Sequence, residues 1–166
     1  MKAIVAVDKE WGIGKKNDLL FSIPEDMKFF RSTTLNKVVV MGSNTLKSFP
    51  GSKPLPKRVN IVLWPGGEKR DDCTVVDSLP ELFAELKKFD TDEIYIIGGA
   101  MFYHTMLPYC SSALVTRVDA VGGAEVFFDN LDEAEGWRLF NPGEEIEAGE
   151  YKIRFTEYVN DAVKPI

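Results

Sequence analysis

Glu93-Ile94-Tyr95-Ile96-Ile97-Gly98-Gly99-Ala100 is the stretch that decides the fold. Its apolar residues follow one another without polar alternation, as in a short strand covered on both faces of a parallel sheet. The strand, Glu93–Ile97, runs into two glycines, and a helix-like segment then continues until Pro108 stops it. Four more segments repeat the strand pattern: Ile4–Val7, Val38–Met41, Val59–Leu63 and Thr74–Val76. Amphipathic segments lie between them. Ser22-x-x-Glu25, with Pro24 in the first turn, predicts a helix from Ser22 to about Ser32, and Ser78-x-x-Glu81 predicts another before LFAELKKF. The last third changes character, with strand-like Ala113–Asp119, Glu125–Phe128, Trp137–Phe140 and Tyr151–Val159. No helical segment separates the final pair, so they are expected to form an antiparallel hairpin at one edge. The expected fold is α/β: a single domain whose mixed, mostly parallel central sheet is flanked by helices and ends in a C-terminal antiparallel hairpin.

The chain of 166 residues is long enough to bury a core without staples. Its 20 Lys and Arg against 26 Asp and Glu leave a net charge of −6, a field that does not draw nucleic acid or anionic membranes. Cys73 and Cys110 are too few for a disulfide framework and lack metal-ligand spacing, so no metal is expected and a reducing, cytoplasmic setting is. No stretch reaches membrane length, and no long apolar segment demands a partner, so a monomer is expected. No serine, cysteine or histidine stands in a nucleophile-and-base pattern, and His104 lies within a helix-like segment.

Four features are able to carry chemistry, each with a plainer reading beside it. Asp26 shares a helix face with Phe29 and Phe30 and adjoins Met27. It is either a helix-dipole acid or a semi-buried acid whose proton affinity rises through desolvation. The connection Lys9–Phe21, containing Gly12 and Gly14, is a surface loop or a binding lid. Gly98-Gly99 serves tight strand–helix packing or close approach of a phosphate-bearing ligand; the G-x-G-x-x-G fingerprint is absent. Lys53-Pro54-Leu55-Pro56-Lys57-Arg58 places three cations in six residues, a solvated turn or a hold on an anionic substrate.

In order along nearly the whole chain, these pieces closely resemble the dihydrofolate reductase family. The motifs are Ala6 and Asp8 of the first strand, Ile13-Gly14, Pro24-Glu25-Asp26, Met41-Gly42-x-x-Thr45, Pro54-Leu55-Pro56-x-Arg58-x-Asn60, Ile97-Gly98-Gly99 with Tyr103 and Pro108, and Thr116. The resemblance implies hydride transfer from NADPH to 7,8-dihydrofolate, with Asp26 as the pocket's ionisable group and Thr116 linked to it. Ile4, Val5, Ala6, Met27, Phe30, Leu55, Ile97 and Tyr103 would line the pterin pocket, and Arg58 would pair with the α-carboxylate of the folate tail. Ala6, Ile13, Gly14, Asn17 and Leu19 would border the nicotinamide. Gly42, Ser43, Asn44, Thr45, Leu63, Trp64 and the backbone of the run Gly98, Gly99, Ala100, Met101 and Phe102 would hold the rest of the cofactor. The Gly98–Gly99 peptide is expected to be cis.

Three positions depart from the family pattern. Leu20-Phe21 replaces the usual Pro-Trp, which removes an indole N–H. Ser43 stands where arginine is frequent, and Trp64-Pro65 replaces a small hydroxyl residue. The last two predict a narrower preference for NADPH over NADH. Neutral donors, the Thr45 hydroxyl, or Lys69 and Arg70 from the following turn would then hold the 2′-phosphate. Alternatives carrying the same fold are a pyrimidine reductase of riboflavin synthesis and an inactive folate- or nucleotide-binding module.

Overall fold

The computed structural model describes residues 1–166. β1 (Lys2–Val7) is followed by two short strands, β2 (Gly12–Lys15) and β3 (Asp18–Leu19), and then α1 (Pro24–Thr34). β4 (Val38–Gly42) runs directly into α2 (Ser43–Ser48), and β5 (Val59–Leu63), β6 (Thr74–Val76) and α3 (Leu79–Leu86) come next. β7 (Ile94–Gly98) and α4 (Ala100–Met106) precede β8 (Ser112–Val118), β9 (Val126–Phe127), β10 (Trp137–Asn141), β11 (Ile146–Ala148) and β12 (Tyr151–Asn160).

The main sheet has the order β10-β12-β8-β1-β7-β4-β5-β6, with β11 also paired to β12. β8, β1, β7, β4, β5 and β6 are mutually parallel, and β12 is antiparallel to β8, β10 and β11. The central strands read as continuous apolar runs because both of their faces are covered. Val38, Val40, Ile61, Ile94 and Ile96 belong to the large core, whereas Val39, Met41 and Val62 face a second cluster with Leu46 of α2. The expected pairing of Trp137–Phe140 with Tyr151–Val159 is present, but β12 lies inside the sheet and only β10 is at its edge.

The two helix-start motifs behave differently. At α3 the Ser78 Oγ accepts from the Glu81 amide at 3.3 Å, and the Glu81 carboxylate accepts from the Asp77 amide at 3.0 Å. At α1 the expected box does not form. The helix starts at Pro24, its N-cap is Ile23, no side chain caps it, and Ser22 lies instead against the Met27 sulfur. Ile23 is buried with Val118, Ala148 and Ile153, so apolar docking and the fixed φ of Pro24 set the start rather than a hydroxyl.

The Lys9–Phe21 connection is not a plain loop. β2 pairs with β3 and, across more than a hundred residues of sequence, with β9. The Asp8 carboxylate, fully buried, fastens its base by accepting from the amides of Glu10 (2.8 Å), Gly12 (2.7 Å) and Gly122 (3.0 Å). At the tip, the Lys16 amide donates to Glu125 Oε1 and the Glu125 amide donates to the Gly14 carbonyl.

Candidate active site

β1 pairs with β8 over its whole length, Lys2↔Ser112 through Val7↔Arg117. Against β7 it pairs only at Lys2↔Tyr95 and Ala3↔Ile96. β7 stays with β4 as far as Met41↔Gly98. The sheet therefore parts beyond Ala3, with Ile4, Val5 and Ala6 on one lip and Ile97 and Gly98 on the other. β1 leads to β4 on one side, and β7 leads back to β8 on the other. Ligands of open α/β sheets bind at this kind of reversal, outside the carboxyl ends of the strands.

Asp26 stands beside this split, in the first turn of α1. Thr116, opposite Ala6 on β8 and almost fully buried, donates its hydroxyl to Asp26 Oδ1 at 2.7 Å. Burial pushes the Asp26 carboxyl above the usual carboxylate range, and the Thr116 hydroxyl draws it partly back by stabilising the anion. The Tyr103 phenol, buried on α4, donates to the Ile4 carbonyl at 2.7 Å. Its own proton is held more tightly by burial and by the nearby Asp26 charge. One acid, one hydroxyl and one phenol thus converge from α1, β8 and α4.

Along α1, Met27 is half exposed and Phe30 half-buried, while Phe29 packs on Phe155 with ring centres 4.6 Å apart. Leu55 is gripped by Asn60, whose amide side chain accepts from the Leu55 amide at 3.0 Å and donates to its carbonyl at 2.9 Å. Leu55 and Ile97 pack against the same small cluster. Arg58 has its guanidinium aligned by Thr34 Oγ1 (3.1 Å) and by the carbonyls of Pro56 (2.9 Å) and Arg31 (3.4 Å). Burial and the neighbouring Arg31 charge lower its pKa somewhat. No carboxylate of the chain pairs with it.

On the other side of the split, α2 and α4 bring small residues together. A Cβ on Gly98 would come 3.1 Å from Thr45 Oγ1, and one on Gly99 would come within 3.5 Å of it. Gly98 has φ +135°, a conformation closed to other residues. The Gly98–Gly99 peptide is cis, as the resemblance implies. Gly42 lies against Phe102, so the ends of β4 and β7 and the starts of α2 and α4 form one cradle of backbone and hydroxyl. Such a donor set suits a diphosphate, and the lack of Cβ atoms leaves room for it.

Some of the expected residues do not pack their side chains with these two groups. Asn17 and Leu19 are exposed at the β2–β3 turn, and Met101 is 86% exposed. Leu63 packs into the large core, away from Trp64, so its side chain does not face the cradle. Lys69 is engaged with the Val75 carbonyl at 2.6 Å and with Glu81. Arg70 is forked onto Asp72 and also donates to the Ser52 carbonyl. Phe21 packs edge-on to Tyr151, 5.0 Å between centres, in place of any polar role. Lys47 was missed by sequence reasoning because SNTLKS is too short to show helical periodicity. A cavity of about 440 Å³ lies elsewhere. It is lined by Arg117, Thr156 and Tyr158, on the face of β8 and β12 opposite Thr116 and Phe155.

A single shielded acid at a parting of parallel strands, next to a glycine cradle, defines an α/β enzyme with a two-part site at the carboxyl ends of its sheet. The family model described as dihydrofolate reductase matches residues 1–160, and the chain belongs to that family of oxidoreductases. Its relatives include the dihydrofolate reductase of Bacillus subtilis (strain 168), 31% identical over 93% of this chain and 91% of the relative. The Haemophilus influenzae enzyme of the same name is 33% identical over 90% and 86%. Dihydrofolate reductase type 9 of Escherichia coli is 30% identical over 96% and 93%.

Proposed function

We propose that the chain reduces 7,8-dihydrofolate to 5,6,7,8-tetrahydrofolate with NADPH, as a cytoplasmic monomer serving one-carbon and thymidylate metabolism. The observation that carries this reading is the Thr116–Asp26 pair, 2.7 Å apart, at the parting of β1 and β7. Gly42, Thr45, Gly98 and Gly99 fit the cofactor's diphosphate, with Ser43, Asn44 and Trp64 toward its adenosine end. Ala6, Ile13 and Gly14 would border the nicotinamide, which supplies the hydride when bound.

Asp26 accepts hydrogen bonds from the pterin's amino group and adjacent ring nitrogen, and promotes protonation of the nitrogen beside the reacting carbon. Its raised proton affinity suits this role, because burial makes the carboxyl hold a proton more readily than an exposed carboxylate does. Thr116 fixes the carboxylate and limits how far its proton affinity climbs. Ile4, Val5, Phe30, Leu55, Ile97 and Tyr103 enclose the ring and exclude water, while Met27 lines the entrance. Arg58, already aligned by Thr34, Pro56 and Arg31, grips the tail carboxylate through its fork.

The test is absorbance at the reduced-nicotinamide band on mixing protein, NADPH and dihydrofolate. Oxidation of NADPH supports the reading. Binding of both ligands without oxidation would reassign the chain as a folate- or nucleotide-binding module.

A further inference from the structure

The adenosine end of the cradle has a cation with no carboxylate partner. α2 carries Ser43 and Lys47 four residues apart, hence on one helical face. Gly42 is paired with Leu63, so Trp64 stands at the next step, level with Ser43. The Lys47 ammonium lies over the Trp64 ring, 4.8 Å from its centre. Gly67 fixes that ring: its amide donates to the Trp64 carbonyl at 2.8 Å, and a Cβ there would fall 2.5 Å from the indole Cγ. Lys69 is engaged by the Val75 carbonyl and Glu81, and Arg70, which lines a cavity beside Trp64, is forked onto Asp72, so each already has a carboxylate partner that Lys47 lacks.

We propose that Lys47 is the specificity-determining residue for the cofactor's 2′-phosphate and that Trp64 is the platform for its adenine. The inference rests on the NADPH reading and assigns it to residues of this chain. An ammonium over a half-buried indole at the surface is weakly held, whereas a phosphate dianion offers charge-assisted bonds, so the exchange of partners is favourable. The lysine stem is flexible enough to swing from ring to phosphate, and the adenine then takes the ring face that the ammonium leaves. Ser43 contributes a neutral donor on the same helical face. A mobile lysine discriminates less sharply than an arginine fork, which agrees with a narrowed preference.

The experiment is calorimetric titration of the whole protein with adenosine 2′,5′-bisphosphate and with 5′-AMP, at two salt concentrations. In the parent, the bisphosphate should bind more tightly. Lys47→Gln should weaken it by roughly tenfold to hundredfold and flatten its salt dependence, with AMP unchanged. Lys47→Arg should restore it. Equal losses for both fragments, or no loss for the bisphosphate in a parent that prefers it, would overturn the role of Lys47 and leave the NADPH reading standing. The same loss in Lys69→Gln, with Lys47→Gln unaffected, would move the role to Lys69. A parent that binds both fragments equally would overturn the NADPH preference and this inference together. Quenching of indole fluorescence by the bisphosphate, lost in Trp64→Phe, reports on the platform separately.

Discussion

Asp26→Asn separates what the carboxylate does for reaction from what it costs the fold. The amide has the same size, so no cavity opens, and its oxygen still accepts from Thr116 at the present 2.7 Å geometry. Only the charge and the proton are removed. Loss of a positioned proton-transfer aid lowers rate by about 10²–10⁴, or roughly 3–5 kcal/mol of barrier. Stability should move the other way. Burial raises the Asp26 pKa in the folded chain above its unfolded value, so folding disfavours the anion. The stability this group leaves to the fold is complete below the unfolded carboxylate range, about pH 4, and is lost as pH rises through the higher folded pKa. Asp26→Asn escapes that loss. Its melting temperature should exceed the parent's at pH 7, and the difference should close toward pH 3.5. The assays are kcat/KM for dihydrofolate from pH 5 to 9 and thermal unfolding across the same range extended to acid. Turnover near the parent's at pH 7 would refute the catalytic role. A variant less stable than the parent at pH 7 would refute the claim that burial strains this acid.

Arg58→Lys keeps the charge but loses the fork held by Thr34 and Pro56; KM for dihydrofolate should rise roughly tenfold to hundredfold, while kcat for a pterin lacking the glutamate tail stays put. Asp8→Ala leaves the amides of Glu10, Gly12 and Gly122 without their acceptor; denaturant unfolding should show a loss of about 2–4 kcal/mol, and amide exchange should quicken at Gly12 and Gly122 together. Leu46→Ala empties the fully buried anchor of α2; a loss of about 2–5 kcal/mol is expected, with weaker binding of the adenosine fragments, and a loss below 1 kcal/mol would show that α2 is held by other contacts.

The parallel strands were legible because burial on both faces writes itself as uninterrupted Val and Ile, and their ends fall within a residue or two of expectation. Three things were not. Ser22 reads as a helix cap, yet Ile23 docks into the apolar cluster and Pro24 begins the helix, so tertiary packing overrode a local motif. β2 and β3 are too short to show a period, and the partner of β9, itself expected within Glu125–Phe128, is β2, more than a hundred positions away. α2 follows β4 without a break, which hid Lys47. At the site, Asp26 could be singled out from the sequence, but its partner could not be read from spacing alone: Thr116 is ninety residues away and meets it through the β1–β8 register. Lys69 and Arg70 read as unpaired cations in sequence, whereas the fold gives them Glu81, Asp72 and backbone carbonyls as partners.

β12 touches β8, β10 and β11, and it is synthesised after all of them. Until it leaves the ribosome, β8 has one open edge, exposing the ladder groups of Ser112–Val118 that later pair with Ile153–Val159. That edge carries Thr116. Completion of the sheet, and with it a firm seat for the Asp26–Thr116 pair, waits for the last strand. A nascent chain halted before Tyr151 should be inactive and prone to edge-to-edge association, which makes this end of the sheet the point where chaperone assistance and translation speed would most affect yield.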